Sequence, residues 1–158
     1  MRAPGPPIPV RTLPSHRGEA PADLPVVELR MTAHDRRRVR RLIEAPDGAV
    51  LALELATGTV LDPGQLLHHD AEAAYVISAA DEDVLVVHPR DIAEAARIAH
   101  MLGNLHRDIH VDGSHIIALA DAALADRLED AGVPFERARR PFHARATGEH
   151  SHDAERRS

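Results

Sequence analysis

The stretch 107-RDIHVDGSHIIAL-119 decides the fold. Two short runs rich in Ile, Val and Leu flank Asp112-Gly113, a dipeptide that favours a tight two-residue hairpin turn. The spacing predicts strands over 107–111 and 114–119. Upstream, Asp91 reads as the N-cap of a helix. Its apolar positions Ile92, Ala95, Ala96, Ala99 and Leu102 follow the i, i+3, i+4, i+7 pattern. Gly103-Asn104 is expected to end that helix in the left-handed conformation that glycine and asparagine tolerate. Before it, 84-VLVV-87 reads as a buried strand. After the hairpin, Asp121 caps a second helix carrying Ala120, Leu124 and Leu128 on one face, with Gly132 as its stop. A last strand, 133-VPFERAR-139, follows. Residues 83–140 therefore run β-α-β-β-α-β, the order of a ferredoxin-like domain, with two helices on one face of a four-stranded antiparallel sheet.

The first half has a different character. Structure is expected to begin at 24-LPVVELRMTA-33. A hairpin over 36-RRRVRRLIEAPDGAVLALEL-55 turns at Pro46-Asp47-Gly48, and 74-AYVISAA-80 reads as another strand. The expected class is α+β, a small N-terminal all-β domain followed by the ferredoxin-like one. The expected divisions are a disordered, proline-rich leader over 1–23, a β domain over 24–80, the ferredoxin-like domain over 81–142, and a polar, flexible tail over 143–158.

Composition removes several functions. The chain has 158 residues and no cysteine, so disulfides, thiolate catalysis and cysteine-bound metals are excluded. Any metal site must use histidine and carboxylate, a donor set for borderline ions such as Ni(II), Zn(II) or Cu(II). No lysine is present, which excludes Schiff-base chemistry and the lysine of a phosphate-binding loop. A net charge of −6 argues against a polyanion partner. The run Arg36–Arg41 is basic, but aromatic side chains for base stacking are missing around it. It reads as a charged strand face or a contact for an acidic protein. No apolar run reaches the roughly 20 residues that span a bilayer, and no signal peptide is visible, so a cytoplasmic protein is expected.

The twelve histidines keep a metal in view. His106 emerges just past the helix terminator, exposed yet rigidly placed, and reads either as a surface cap residue or as a positioned ligand. His100 lies off the apolar stripe. His110 and His115 flank the Asp-Gly turn and are expected to face one another across the strands, either as a chelating pair or as a solvated one. In the tail, Glu149, His150, His152 and Asp153 form a compact donor-rich tract. His68-His69 read as solvated. No nucleophile–base pair or paired-carboxylate arrangement stands out, so the residues alone indicate no enzyme.

Taken as a set, 57-TGTVLDPGQLL-67, 76-VISAADEDVLVV-87, 100-HMLGNLH-106, 121-DAALADRLEDAGV-133 and 141-PF-142 resemble the UreE family of urease accessory proteins over roughly residues 24–143. The resemblance implies a partner-binding β domain, a ferredoxin-like metal-binding and dimerisation domain, and nickel as cargo. The histidine closing the LGN-x-H element, here His106, would meet its symmetry mate across a homodimer. His150 and His152 would add ligands from the tail. Expected partners are other urease accessory proteins, including a GTPase, and through them apo-urease, with no nucleic acid and no membrane. Three positions depart from the family pattern: Leu105 stands in place of a common Arg, Ala120-Asp121-Ala122 lacks auxiliary histidines, and His143-Ala144-Arg145 replaces an acidic element. These departures imply a lower capacity, about one nickel per dimer, with His110 and His115 as compensating ligands. Zn(II) and Cu(II) would compete, because imidazole accepts all three ions. Imidazole binds metal only when neutral, so affinity is expected to fall below about pH 6.5. The competing reading is a metal-independent ferredoxin-like regulatory or ligand-binding module.

Overall fold

A computed structural model describes residues 5–14 and 20–143. The chain divides into two compact units. One comprises the residues up to Glu82 together with Arg140–His143, and the other Asp83–Arg139.

The first unit contains strands β1 (Ile8–Val10), β2 (Val26–Met31), β3 (Arg40–Glu44), β4 (Val50–Glu54), β5 (Leu66–His69) and β6 (Ala74–Ala79). They form two three-stranded sheets, ordered β1-β4-β3 and β2-β6-β5. Inward residues of both, among them Val10, Leu29, Met31, Leu51, Leu53, Tyr75 and Ile77, share one core. The hairpin β3–β4 turns where the sequence places it. Asp47 accepts from the Ala49 amide at 3.1 Å with one oxygen and from the buried Tyr75 hydroxyl at 2.9 Å with the other.

Three expectations need correction in this unit. The leader is not wholly disordered, since β1 pairs in parallel with β4 and buries Val10. Ile8 and Val10 supply the apolar alternation, and Pro9 is tolerated because β1 lies at a sheet edge. The basic run is not a continuous strand face. Asp35–Arg37 form a 3-10 turn, only Arg40 and Arg41 enter β3, and Arg36 is 2 % exposed. Its Nη2 donates to the Phe142 carbonyl at 2.9 Å. Phe142 is fully buried, so Arg140–His143 belong to this unit and not to the ferredoxin-like one.

The second unit is built from β7 (Asp81–Val87), α1 (Ile92–Asn104), β8 (Ile109–Asp112), β9 (His115–Leu119), α2 (Ala122–Asp130) and β10 (Phe135–Pro141), the last strand running on into the first unit. Its sheet has the order β10-β7-β9-β8, which is the ferredoxin-like arrangement. Alternate residues Leu85, Val87, Ile116 and Ala118 meet Ile98, Leu102, Leu124, Ala125 and Leu128 of the helices in one core. Asp91 caps α1 as expected, accepting from the Glu94 amide at 2.7 Å. Asp121 caps α2 through the Leu124 amide at 2.8 Å. The buried face of α1 is rotated from the expected one. Ile98 and Leu102 point inward, while Ile92 is 89 % exposed and Ala96 is exposed as well.

Glu94 lies in the first turn of α1, almost fully buried, and accepts from the Arg90 backbone amide at 2.7 Å and from the Arg90 side chain. The Arg90 guanidinium, then its amide, hold the Glu94 carboxyl down to about 2. A lowered folded-state pKa contributes stability above the usual carboxylate range, and that contribution disappears as pH falls toward 2. Glu94→Gln is expected to lower stability at pH 7 and to have a much smaller effect near pH 2. Urea denaturation at the two pH values reads the difference, and an equal loss at both would contradict this assignment.

Candidate metal centre

The end of α1 sets the site. The Leu105 amide donates to the Met101 and Leu102 carbonyls, the His106 amide to Gly103 at 2.9 Å, and the Arg107 amide back to Leu102 at 3.0 Å. The last two bonds are the 5→2 and 6→1 pair of a Schellman terminator. The residue that takes the left-handed conformation is not Gly103 or Asn104, which remain helical, but His106, at φ 53°. Among the described residues it is the only non-glycine with positive φ.

The same chain supplies a control. Helix α2 ends with the Gly132 amide on Glu129 at 2.9 Å and the Val133 amide on Leu128 at 2.9 Å, the same motif with glycine in the strained place at φ 65°. An L-residue there costs roughly 1–2 kcal/mol over glycine. The fold alone would therefore favour glycine at 106. Such a conformation at a non-glycine residue is characteristic of positions retained for their side chain.

His106 is exposed, and its backbone is fixed on both sides. Leu105 packs against the helix-side core. The Arg107 guanidinium reaches the Asp121 carboxylate at 2.6 Å, tying the segment after His106 to the start of α2. His100, one turn back, is exposed, and its Nε2 lies 3.0 Å from Asn104 Nδ2.

The other predicted ligands are distributed differently. His110 and His115 are not a facing pair. The register sets Asp112 opposite His115 and His110 opposite Ile117, which makes the two histidines diagonal neighbours on one face. Directly opposed residues have Cβ atoms about 4.5–5.5 Å apart, whereas diagonal ones are about 7–8 Å apart. The turn residues are Gly113-Ser114 instead of Asp112-Gly113. Only Gly113 has positive φ (58°), the pattern of a type II′ turn. His150 and His152 lie outside the described residues. His68 is half-buried in β5 and stacks on Tyr75 at 6.2 Å between ring centres, while His69 is exposed.

One residue was missed altogether. His88 directly follows β7, and its ring meets that of His115 edge-on at 4.6 Å. Its position beside His115 follows from the β7–β9 register, which sets Val87 opposite Ile116. Among the described residues, no three His, Asp or Glu side chains already surround a single point. Among the described residues, His106 is an exposed imidazole outside any such group.

No helix among the described residues is long and apolar enough to cross a membrane. The chain matches the family model of the UreE urease accessory protein N-terminal domain over residues 10–80 and that of its C-terminal domain over 82–158. It is 52% identical over 132 residues to the urease accessory protein UreE of Deinococcus radiodurans, covering 84% of this chain and 85% of the relative. It is 48% identical over 132 residues to the protein of the same name from a Synechococcus species, covering 84% and 89%. A third such protein, from Corynebacterium efficiens, is 37% identical over 102 residues, covering 64% and 68%. These relatives carry the name of an accessory protein and not of an enzyme, and the two domain matches in sequence order agree with the β unit and ferredoxin-like unit described above. The chain belongs to the UreE family of urease accessory proteins.

Proposed function

We propose that this protein is a nickel-delivering chaperone of urease maturation, and that it carries Ni(II) between the His106 side chains of two copies of itself. The observation that carries the reading is the left-handed backbone of His106, a place where the fold favours glycine and the chain holds an imidazole instead. A two-fold axis turns one exposed ligand into two without a second motif. A site with two protein ligands and open positions also suits a carrier, which must release its ion. His150 and His152 complete the coordination from the tail.

Features of α1 support the pairing. Ile92, Ala96, Ala99 and Gly103 recur at helical spacing along one side of α1, exposed or half-exposed, and lead toward His106. A second copy laid on that stripe covers Ile92 and brings the two His106 segments together. His110 and His115 stand on the sheet, away from this helix end, and are not needed for the shared ion. Delivery then runs through the other urease accessory proteins, including a GTPase, to apo-urease in the cytoplasm. Zn(II) and Cu(II) compete for the same imidazoles.

Nickel calorimetry on the wild type and on His106→Ala, with mass in solution recorded in parallel, tests the reading. The wild type is expected to bind about one tight nickel per dimer. Loss of an outer-shell partner alone weakens metal sites about 10–100-fold, so loss of His106 itself is expected to weaken the tight site at least about 100-fold while the dimer persists. Equal nickel binding by both proteins would overturn the assignment of His106, and no binding by either would overturn the nickel function.

A further inference from the structure

The antiparallel register of the second unit's sheet pairs Val86 with Ile117 and Val87 with Ile116. One step further along, His88 comes opposite His115, and their rings touch at 4.6 Å between centres. On the other side of His115 stands Asp112, its partner across the β8–β9 hairpin. On the other side of His88 stands Glu136 of β10, whose Oε1 is 3.8 Å from His88 Nε2. Since the strand order is β10-β7-β9-β8, these four residues form one row across the end of the sheet, Glu136, His88, His115, Asp112.

We infer that this row is a second site for a divalent borderline cation of the nickel, zinc and copper class, held by His88, His115 and Glu136. Both histidines are half-buried, their rings touch, and His88 Nε2 faces the Glu136 carboxylate. Two imidazoles in contact beside a carboxylate are a ligand set for such an ion. The spacing suits it. With metal–nitrogen and metal–oxygen distances of about 2.0–2.2 Å, ligand atoms 3.8 Å apart meet one ion at an angle near about 130°. Glu136 is 64 % exposed at its side chain and His88 39 %, so both can rotate to close that angle toward tetrahedral. Asp112 is the neighbouring oxygen donor.

The site cannot be the one at His106. His88 precedes the first turn of α1 and His106 follows its last, and a helix of 13 residues is about 20 Å long. The two ligand sets sit at opposite ends of the same helix and of β8. Each chain would then carry its own ion here, in addition to the one shared through His106, and this inference does not depend on that shared site.

The test uses the full-length protein with His106→Ala, His150→Ala and His152→Ala, which removes every other proposed ligand outside the sheet. Zinc chloride, then nickel chloride, is titrated by calorimetry, with the imidazole Cε1–H signals followed by NMR. The expected result is one ion per chain, with the signals of His88 and His115 shifting together. Adding His88→Gln or His115→Gln should weaken binding at least 10-fold while circular dichroism shows the fold unchanged, and Glu136→Gln should weaken it less. An absence of binding would overturn the proposal. So would binding that leaves the two signals in place, or binding indifferent to both histidine substitutions. In the otherwise wild-type chain, His88→Gln should leave the tight shared nickel in place, which separates failure of this site from failure of the chaperone reading.

Discussion

Replacing His106 with glycine is expected to abolish tight nickel binding and to leave the protein at least as stable as before. The two effects have separate origins. Nickel is lost because the imidazole is lost. Stability is retained because glycine is the residue that the Schellman geometry prefers, as Gly132 demonstrates at the end of α2. Removing the left-handed penalty returns about 1–2 kcal/mol, and the added freedom of glycine in the unfolded chain takes back about 0.4–1 kcal/mol. The net expectation is a gain of up to about 1.5 kcal/mol. His106→Ala provides the comparison: it loses nickel equally but keeps a Cβ at φ 53°, so it should be less stable than the glycine variant by roughly 1 kcal/mol. Among the described residues both α-helices lie in the second unit, so urea unfolding followed by the helical circular dichroism signal reads that unit. If His106→Gly proved less stable than His106→Ala, the histidine backbone would not be strained. The argument that position 106 is retained for its side chain would then fall.

Much of this was legible in the residues because local signals and tertiary packing agree. Asp91 and Asp121 read as caps and act as caps. Gly132 reads as a terminator and is one. The β-α-β-β-α-β order follows from such punctuation. The readings that failed did so where two local solutions compete. Asp112-Gly113 and Gly113-Ser114 both make acceptable two-residue turns, and the choice moves the turn by one residue and each cross-strand partner by two. That shift separates His110 from His115, while the long-range β7–β9 pairing, which spacing could not single out, brings His88 beside His115. Position 103 offered a glycine, the usual terminator, yet α1 runs on to Asn104 and the strain moves to His106. The burial of Arg36 was hidden for another reason. Its carbonyl partner at Phe142 is 106 residues away, and no periodicity in 36-RRRVRR-41 distinguishes one arginine from its neighbours.

That contact carries the second large expectation. Arg36→Ala should destabilise the first unit by about 3 kcal/mol. Truncating a fully buried side chain leaves a cavity, and the Phe142 carbonyl loses its donor in a site without ready access to water, which by itself costs about 1–3 kcal/mol. Arg36→Met separates the two contributions, because it fills most of the volume and removes both the charge and the donor. A buried charge contributes little net stability once an apolar side chain of similar size replaces it, so the methionine variant should lose no more than about half as much. Arg36→Lys should not restore the wild type, since a single ammonium on a flexible stem cannot reproduce the planar guanidinium. The chain has one tyrosine and no tryptophan, and Tyr75 is fully buried in the same unit, so its fluorescence during urea unfolding reports on this unit directly. The consequence extends beyond stability. Among the described residues Phe142 is the last that is buried, and the Arg36 bond holds the point from which the chain continues toward His150 and His152. If the tail histidines complete the nickel site, Arg36→Ala should weaken nickel binding in the full-length protein but not in a His150→Ala, His152→Ala background. Equal weakening in both backgrounds would mean that Arg36 acts on the fold alone.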